Sequence, residues 1–198
     1  MRVPKGSFVA LVGRNGAGKT TLMRSAMNLL PVSSGSLRIG GQVTTYSPAY
    51  MHARNGVGYM PEDRRLVPDW TVQQNIELPA LASKALETKL RLKKIYEFIP
   101  EVAKFKDRRA LELSGGQQKL VALARAFMAS KNLLIPDEPF EGVAPALVHR
   151  LIDILKAMRG ESALSILISE SDAIHSEKLV DYCYTIERGK IETPLMDV

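Results

Sequence analysis

The stretch that decides the fold reads SFVALV at residues 7–12 and GRNGAGKT at residues 13–20. The first six residues form a short apolar run, which is typical of a buried strand. The next eight match the pattern G-x-x-x-x-G-K-S/T, and a helical pattern follows from Lys19 to about Leu30, before Pro31. A strand, a glycine-rich loop and a helix in this order predict a site that binds phosphate groups.

The glycine-rich loop, a Walker A motif, suits phosphate for physical reasons. Glycine lets the backbone come close to phosphate oxygens and adopt torsion angles that a Cβ atom would forbid. The loop amides and the start of the helix direct partial positive charge at the anion. Lys19 is expected to reach the β- and γ-phosphates and assist catalysis, and the Thr20 hydroxyl to ligate Mg²⁺. We therefore expect ATP to contact Gly13, Arg14, Asn15, Gly16, Ala17, Gly18, Lys19, Thr20 and Thr21.

A second motif places two adjacent acids directly after an apolar run, from Asn132 to Pro136. Ligands of open α/β sheets bind at the carboxyl ends of the strands, where Asp137 and Glu138 would lie. This is the Walker B arrangement: Asp137 would hold the hydration shell of Mg²⁺, and Glu138 would polarise the attacking water or accept its proton. Because Pro136 has no amide hydrogen, we also expect a local perturbation of the strand just before Asp137.

A third motif, LSGGQQ at residues 113–118, precedes the second on the chain. Ser114 and Gln117 form a capping box, so a helix should begin after Ser114 and run to about Ser130. The Ser114 hydroxyl, the amides of Gly115 and Gly116, and the helix start also make a second anion site. Two such sites in one chain can serve one nucleotide only if two chains meet across it, which predicts a dimer.

The remaining pattern predicts an α/β fold with a mainly parallel sheet. Strands are expected at residues 36–39, 57–60, 164–169 and 182–187, alternating with helices at 145–158 and about 172–180. Residues 71–106 have a helical pattern instead, with apolar positions such as Ile76, Ile95 and Phe98. We predict one domain over residues 1–198: a core of about 1–68 and 131–198, and an inserted α-helical subdomain of about 69–130.

Composition limits the class of protein. The chain has 198 residues, 45% of them hydrophobic, with one cysteine and a formal net charge of +6. The basic groups at residues 89–94 and 104–109 lack the interleaved aromatic residues of a base-stacking surface, so we interpret them as solvated helix faces and expect no nucleic-acid partner. Cys183 is expected to pack in an apolar stretch. No apolar run is long enough to span a membrane, so we expect membrane association only through a partner.

Together, Walker A, LSGGQ and the Asp-Glu-Pro sequence of residues 137–139 resemble the set that marks ABC-type ATPases, which are P-loop NTPases. The resemblance covers nearly the whole chain. In that family two subunits stack head to tail, and ATP lies between the Walker A motif of one and the LSGGQ motif, called the signature, of the other. The resemblance therefore implies that Ser114, Gly115, Gly116 and Gln117 contact ATP held by the opposite subunit, and that the helical subdomain docks onto transmembrane permease subunits.

Two further segments, GYMPEDRR at residues 58–65 and DEPFEGVAP at residues 137–145, look like the ATPases of branched-chain amino acid importers. The resemblance implies ATP hydrolysis coupled to transport, on the cytoplasmic face of the cell membrane. The substrate would be a branched-chain amino acid or a related small polar solute. The family usually has Gln at the position of Glu62, where it senses Mg²⁺ and water. Importers of this type often share the Glu, so we expect Glu62 to bind the metal.

Two features depart from the family pattern. Ser171 occupies the position of a family His that contacts the γ-phosphate; Ser can donate one hydrogen bond but carries no positive charge, so hydrolysis should be slower. We expect His52, His149 and His175 on the surface, with His175 in the helix after Ser171. Upstream of Walker A we find no aromatic residue of the kind that stacks on adenine, a contact worth about 1–3 kcal/mol on nucleic-acid binders.

Two alternatives to a transport ATPase stay open. The first is a soluble ABC protein of DNA repair or translation, but such proteins usually carry long coiled-coil insertions or tandem ATPase domains, which this sequence does not contain. The second is a catalytically weak regulatory subunit. Ser171 and the missing aromatic residue favour it, whereas Lys19 and Glu138 oppose it.

Overall fold

The computed structural model describes residues 1–81, 88–162, 164–177 and 179–192. Its main sheet has six strands: β1 (Phe8–Val12), β4 (Val57–Met60), β5 (Leu133–Pro136), β6 (Ser165–Glu170), β7 (Tyr182–Glu187) and β8 (Lys190–Glu192). Their order is β4-β5-β6-β1-β7-β8. All neighbours are parallel except β7 and β8, a hairpin at the sheet edge. This confirms the predicted mainly parallel sheet.

The strands are apolar on both faces because helices cover both. In β1, Phe8 and Ala10 enter one core cluster while Val9 and Leu11 enter the other. Helix α1 (Lys19–Ala26) covers the second face through Met23. Helices α6 (Gly115–Ala129) and α7 (Pro145–Ser162) contribute to the cluster on the first face. A parallel sheet buried in this way reads as continuous apolar runs, which is the pattern around residues 7–12 and 132–136.

The segment with the helical pattern contains α3 (Val72–Leu81), α4 (Thr88–Phe98) and α5 (Pro100–Lys104), which pack against α6. Ile76, Ile95 and Ile99 are fully buried there and belong to the same apolar cluster as the first face of the sheet. The helical segment thus shares its core with the sheet through α6. Within the described residues, no helix has both the length and the apolar character needed to cross a membrane.

Between α1 and β4, the strand expected at residues 36–39 is confirmed in part, whereas a second short strand and a helix were not predicted. Strands β2 (Arg38–Ile39) and β3 (Gln42–Val43) form an antiparallel pair, and helix α2 (Ala49–Arg54) packs on β4. The prediction that His52 lies on the surface is wrong, since the residue on α2 is only 1% exposed and its burial lowers its pKa. His149 and His175 are exposed, as expected.

Helix α1 ends before the predicted Leu30. Asn28 adopts a left-handed conformation, with φ of 51°, and its side-chain Nδ2 donates to the carbonyls of Thr44 and Ser47, both at 2.7 Å. Asparagine tolerates this conformation better than most residues. A long-range pair of hydrogen bonds therefore ends the helix near Ala26, ahead of Pro31.

The helix predicted near residues 172–180 is wrong. The described residues there form turns, with the backbone amide of Ile174 donating to the Asp172 carboxylate at 3.0 Å. A side chain that bonds nearby backbone in this way competes with helix formation. His175, expected in that helix, lies in a turn, and its ring meets Phe140 edge to face, with the centroids 5.8 Å apart.

The expected perturbation at Pro136 is present. Strand β5 pairs with β6 through Leu133 and Leu134, and the pairing resumes only at the isolated bridge between Asp137 and Ser169. The interruption falls on residues 135 and 136, where proline removes one donor from the ladder. On the other side Pro136 still pairs with Met60 of β4, so the strand delivers Asp137 to the carboxyl edge of the sheet.

Candidate functional site

The loop after β1 wraps tightly at the carboxyl edge of the sheet. Gly16 and Gly18 have positive φ angles of 82° and 111°, which side chains disfavour. Gly13 is required by space, since a Cβ atom there would lie 2.4 Å from the carbonyl oxygen of Ile186. The amide of Gly13 donates to the carbonyl of Glu170 at 3.1 Å, which ties the loop to the end of β6.

Lys19 begins helix α1 and turns its side chain back over the loop. Its Nζ donates to the carbonyls of Gly13 at 2.5 Å and Arg14 at 3.2 Å. The same atom is 3.0 Å from Oε1 of Glu138, and both side chains are more than nine-tenths buried. One cation at the start of a helix therefore lies against the carboxylate expected to act as the base.

A cavity of about 350 Å³ opens in front of the loop. Six of the residues predicted to bind nucleotide line it, together with two acids that were predicted to act on Mg²⁺ or water. Gly13, Arg14 and Ala17 belong to the same loop but do not line the cavity. Two larger cavities, of about 790 and 630 Å³, lie around Arg38 and Leu133 at the opposite edge of the sheet. None of the residues predicted to bind nucleotide or metal, or to act in catalysis, lines either of them. We assign function to the smaller cavity because of its residues: Asn15, Gly16, Gly18, Lys19, Thr20, Thr21, Glu62 and Glu138.

Asp137 lies beside Thr20 in a polar cluster. The Thr20 hydroxyl donates to Oδ1 of Asp137 at 3.4 Å, and Ser169 donates to the same oxygen at 2.6 Å. The Tyr59 hydroxyl donates to Oδ2 of Asp137 at 3.0 Å. Burial raises the pKa of Tyr59, and the negative charge of Asp137 raises it further, so the hydroxyl stays neutral and can donate. A hydroxyl and a carboxylate next to a phosphate-binding loop fit Mg²⁺, which takes few protein oxygens and shares the rest with water and phosphates.

Glu138 follows in a strained backbone conformation, with φ of 48°. Its amide donates to the carbonyl and the hydroxyl of Ser169, at 3.2 and 3.0 Å. Burial raises the pKa of the Glu138 carboxyl, and its hydrogen bond with Glu141 raises it further, while Lys19 lowers it. A carboxylate with a raised pKa is a stronger base than one in water, which suits a group that must accept a proton.

Two buried charged residues beside Glu138 were missed by the sequence analysis. Glu170 is 4% exposed, and burial together with Glu138 raises the pKa of its carboxyl to about 9. Lys119 of α6 is 5% exposed, and burial lowers its pKa. The period-two pattern of β6 could have indicated Glu170, because it follows Ile166 and Ile168 on the face packed against the core.

The signature residues cap helix α6. The amide of Gln117 donates to the Ser114 hydroxyl at 3.3 Å, and the amide of Ser114 donates to the Gln117 side chain at 3.0 Å, which confirms the capping box. None of residues 114–117, all of them described, lines the cavity of the glycine-rich loop. Within one chain the two candidate anion sites are therefore separate.

Glu62 and Ser171 differ in their placement. Glu62 lines the cavity from a loop that is bonded to α6. Arg64 of this loop donates to the Gln118 side chain at 3.1 Å. In the other direction, Arg125 of α6 donates to the carbonyl of Arg65 at 2.7 Å. Ser171 is exposed directly after β6 and does not line the cavity.

A phosphate-binding loop between a central parallel strand and a helix, with an Asp-Glu pair after β5, two strands away in the sheet, defines the class of P-loop NTPases. Comparison with known proteins gives the family. The family profile described as ABC transporter matches residues 1–141, so the chain belongs to the ABC transporter family, as an ATP-binding, ATP-hydrolysing subunit.

Among curated relatives, the chain is 31% identical over 191 residues to the high-affinity branched-chain amino acid transport ATP-binding protein BraG of Pseudomonas aeruginosa. That match covers 96% of this chain and 82% of BraG. It is 30% identical over 193 residues to the lipopolysaccharide export system ATP-binding protein LptB of Haemophilus influenzae, covering 96% of this chain and 80% of LptB.

Solved structures agree on the fold. The dimeric structure of a bacterial ABC transporter cassette has a TM-score of 0.86 at 22% identity, covering 98% of this chain and 87% of the cassette. The ADP conformation of another ATP-binding cassette from an ABC transporter has a TM-score of 0.80 at 27% identity, covering 98% of this chain and 82% of that one.

Proposed function

We propose that this chain hydrolyses ATP to drive an importer of branched-chain amino acids or related small polar solutes. The observation that carries the ATPase part is the meeting of Lys19 and Glu138 at one cavity, with Asp137 hydrogen-bonded to Thr20 of its lining. The substrate class rests on the segments at residues 58–65 and 137–145 and on the likeness to BraG. LptB, at almost the same identity, belongs to an export system, so likeness alone does not choose the substrate.

The residues of the cavity divide the work of hydrolysis. Loop amides and Lys19 bind the β- and γ-phosphates and offset the charge that develops as the bond to the γ-phosphate breaks. Glu138 orients the attacking water and takes its proton. When bound, Mg²⁺ would neutralise phosphate charge; Thr20 and Asp137 would hold it, directly or through water, with Glu62 beside them. For Lys19 to serve the phosphate, its ion pair with Glu138 must loosen, which frees the carboxylate for water.

A second copy, or a related subunit, would complete the site. Residues 114–117 form the capped start of a helix, but they do not line the cavity of their own chain. We infer that they contact the γ-phosphate held by a partner stacked head to tail. The helical segment of about residues 69–130, set apart from a core of about 1–68 and 131–198, would dock on permease subunits at the cytoplasmic face of the membrane.

The test of hydrolysis is Glu138→Gln, which keeps the shape of the side chain but cannot accept a proton. We expect the rate of ATP hydrolysis to fall by at least about a hundredfold, the usual contribution of a general base, with ATP still bound. Glu97→Gln, on the exposed surface of α4, is the matched control and should keep the wild-type rate. Unchanged hydrolysis by Glu138→Gln would overturn the assignment.

A catalytically weak regulatory subunit is the second candidate. The placement of Ser171 outside the cavity favours it, because no residue at that position then contacts the γ-phosphate. The turnover of the purified chain separates the two proposals, since a regulatory subunit would bind ATP with almost no steady-state release of phosphate.

A further inference from the structure

Lys119 is buried among apolar residues of α6, close to the site of hydrolysis but outside its cavity. Residues 119–124 are each at most 5% exposed, and all of them except this lysine are apolar. Moving an ammonium group out of water is costly unless hydrogen bonds or opposite charges compensate it. The contacts of its Nζ atom therefore show what it does for the fold or the reaction.

The Nζ of Lys119 reaches across to the turn that follows β5. It donates to the backbone carbonyl of Glu138 at 3.1 Å and also to the carbonyl of Glu141. The amide of Glu141 donates to the same Glu138 carbonyl at 3.3 Å. The ammonium thus stabilises the turn from residue 138 to residue 141 by binding the carbonyls at both of its ends.

Glu138, whose carbonyl accepts this hydrogen bond, is the proposed base. Glu138 has a left-handed backbone, with φ of 48°, which is strained and persists only where the surroundings hold it. Ser169 of β6 holds its amide from one side, and Lys119 of α6 holds its carbonyl from the other. With its amide and its carbonyl both held, the Cα–Cβ bond of Glu138 has a fixed direction, from which the carboxylate reaches Lys19.

We propose that Lys119 is a positioning residue for ATP hydrolysis, which aims the Glu138 carboxylate by holding the backbone of that residue. The proposal rests on the proposed ATPase function. Lys119 lies five residues after Ser114 on one rigid helix, roughly 7–8 Å along its axis. A partner's γ-phosphate bound at the start of α6 therefore acts on the same helix that holds the base of this chain, which links the two ATP sites of a dimer.

The test compares three variants of the full chain, with ATP turnover, ATP affinity and thermal stability measured for each. Lys119→Met keeps the length and apolar stem but removes the donors. We expect kcat to fall about tenfold or more, since small misplacement of a catalytic group is costly, while KM and the affinity for ATP change less than threefold. Lys119→Arg offers several donors and should recover most of kcat. Lys93→Met, on the exposed side of α4, is the control and should match the wild type.

The outcomes separate positioning from a merely structural role. Wild-type kcat in Lys119→Met would overturn the proposal, and so would an ATP affinity that falls as much as kcat. If Lys119→Met does not fold, Lys119→Gln, which keeps an amide donor, takes its place. A folded Lys119→Arg that is no faster than the Met or Gln variant would also overturn it. A wild-type chain without ATPase activity would instead remove the proposed function, and the positioning role with it.

Discussion

At the scale of single residues, the Glu138 carboxyl lies between a cation and a second carboxyl. Lys19 is 3.0 Å from one of its oxygens, and Glu141 shares a hydrogen bond with it. Burial is the largest cause of its raised pKa, Glu141 adds to it, and Lys19 opposes it. The protonation of this one group should set the acidic limit of hydrolysis, because only the carboxylate can accept a proton.

Replacing the second carboxyl should move that limit. Glu141→Gln removes a group that raises the pKa of Glu138, so the base stays ionised to lower pH. We expect the acidic limb of the plot of kcat against pH to shift to lower pH, with the plateau nearly unchanged. Glu97→Gln should leave the profile where it is. A limb that stays fixed, or moves to higher pH, in Glu141→Gln would show that Glu138 is not the group that titrates there.

Glu170 should make the stability of the chain depend on pH. Its folded pKa of about 9 lies above the ordinary glutamate value of 4.5, so the folded state keeps a proton that the unfolded state loses as the pH rises. The favourable contribution is complete below about pH 4.5 and is lost as the pH rises toward 9, by up to about 1.4 kcal/mol per pH unit. Glu170→Gln removes this dependence. We expect the variant to gain in Tm relative to the wild type steadily between pH 5 and pH 9; an offset that does not vary with pH would contradict this.

The motif residues of the site were predictable because each lies within a few positions of a local signal. Lys19 follows a glycine-rich loop, and Glu138 follows an apolar run, so their placement needs only the strand and the helix around them. Lys119 and Ser169 were not predictable in the same way. Their contacts with Glu138 depend on how α6 and β6 pack beside β5, across sequence separations of 19 and 31 residues.

At the scale of elements, the packing of α6 on β4 determines where the start of α6, with the signature residues, lies in space. A Cβ atom at Gly58 would lie 2.0 Å from the carbonyl oxygen of Ala126, so the backbone of the helix leaves no room for a side chain there. The same helix carries the capped Ser114 at its start and Lys119 in its second turn. A change in this packing therefore displaces both residues together.

Gly58→Ala should force α6 away from the sheet. We expect a loss of roughly 1–3 kcal/mol in the free energy of unfolding, as for overpacked cores. Gly160→Ala is the matched control, because Gly160 lies in α7 with no other atom within 4 Å of an added Cβ. There alanine should stabilise the helix by about 0.5–1 kcal/mol. Urea unfolding of both variants measures the difference; equal stabilities would show that the close approach is not tight.

Elements with a strong apolar pattern were predictable, and the ends of helices and the polar turns were not. Helix α6 and the buried strands carry unbroken apolar patterns, so their existence and type follow from the sequence. By contrast, α1 ends where Asn28 finds partners in another loop, and residues 171–177 form turns stabilised in part by Asp172. Such ends depend on individual polar contacts that no periodic pattern carries.

At the scale of the whole molecule, the chain holds the two separate halves of the composite ATP site that we propose. One is the cavity with Lys19 and Glu138, and the other is the capped start of α6 at Ser114. The carboxyl edge of a parallel sheet made the first half predictable. The pairing of two chains was inferred from the second motif and the family resemblance, because a single chain does not bring the halves together.

The most direct test is the mass in solution of Glu138→Gln with ATP and Mg²⁺, measured by light scattering during gel filtration. We predict a species of twice the 21.9 kDa of one chain, formed with ATP and lost with ADP. The double variant Glu138→Gln, Ser114→Glu should bind ATP equally well but stay monomeric, since it sets a carboxylate against the partner's γ-phosphate. A Glu138→Gln chain that binds ATP and remains a monomer at every concentration, or a double variant that dimerises as readily, would contradict the composite site.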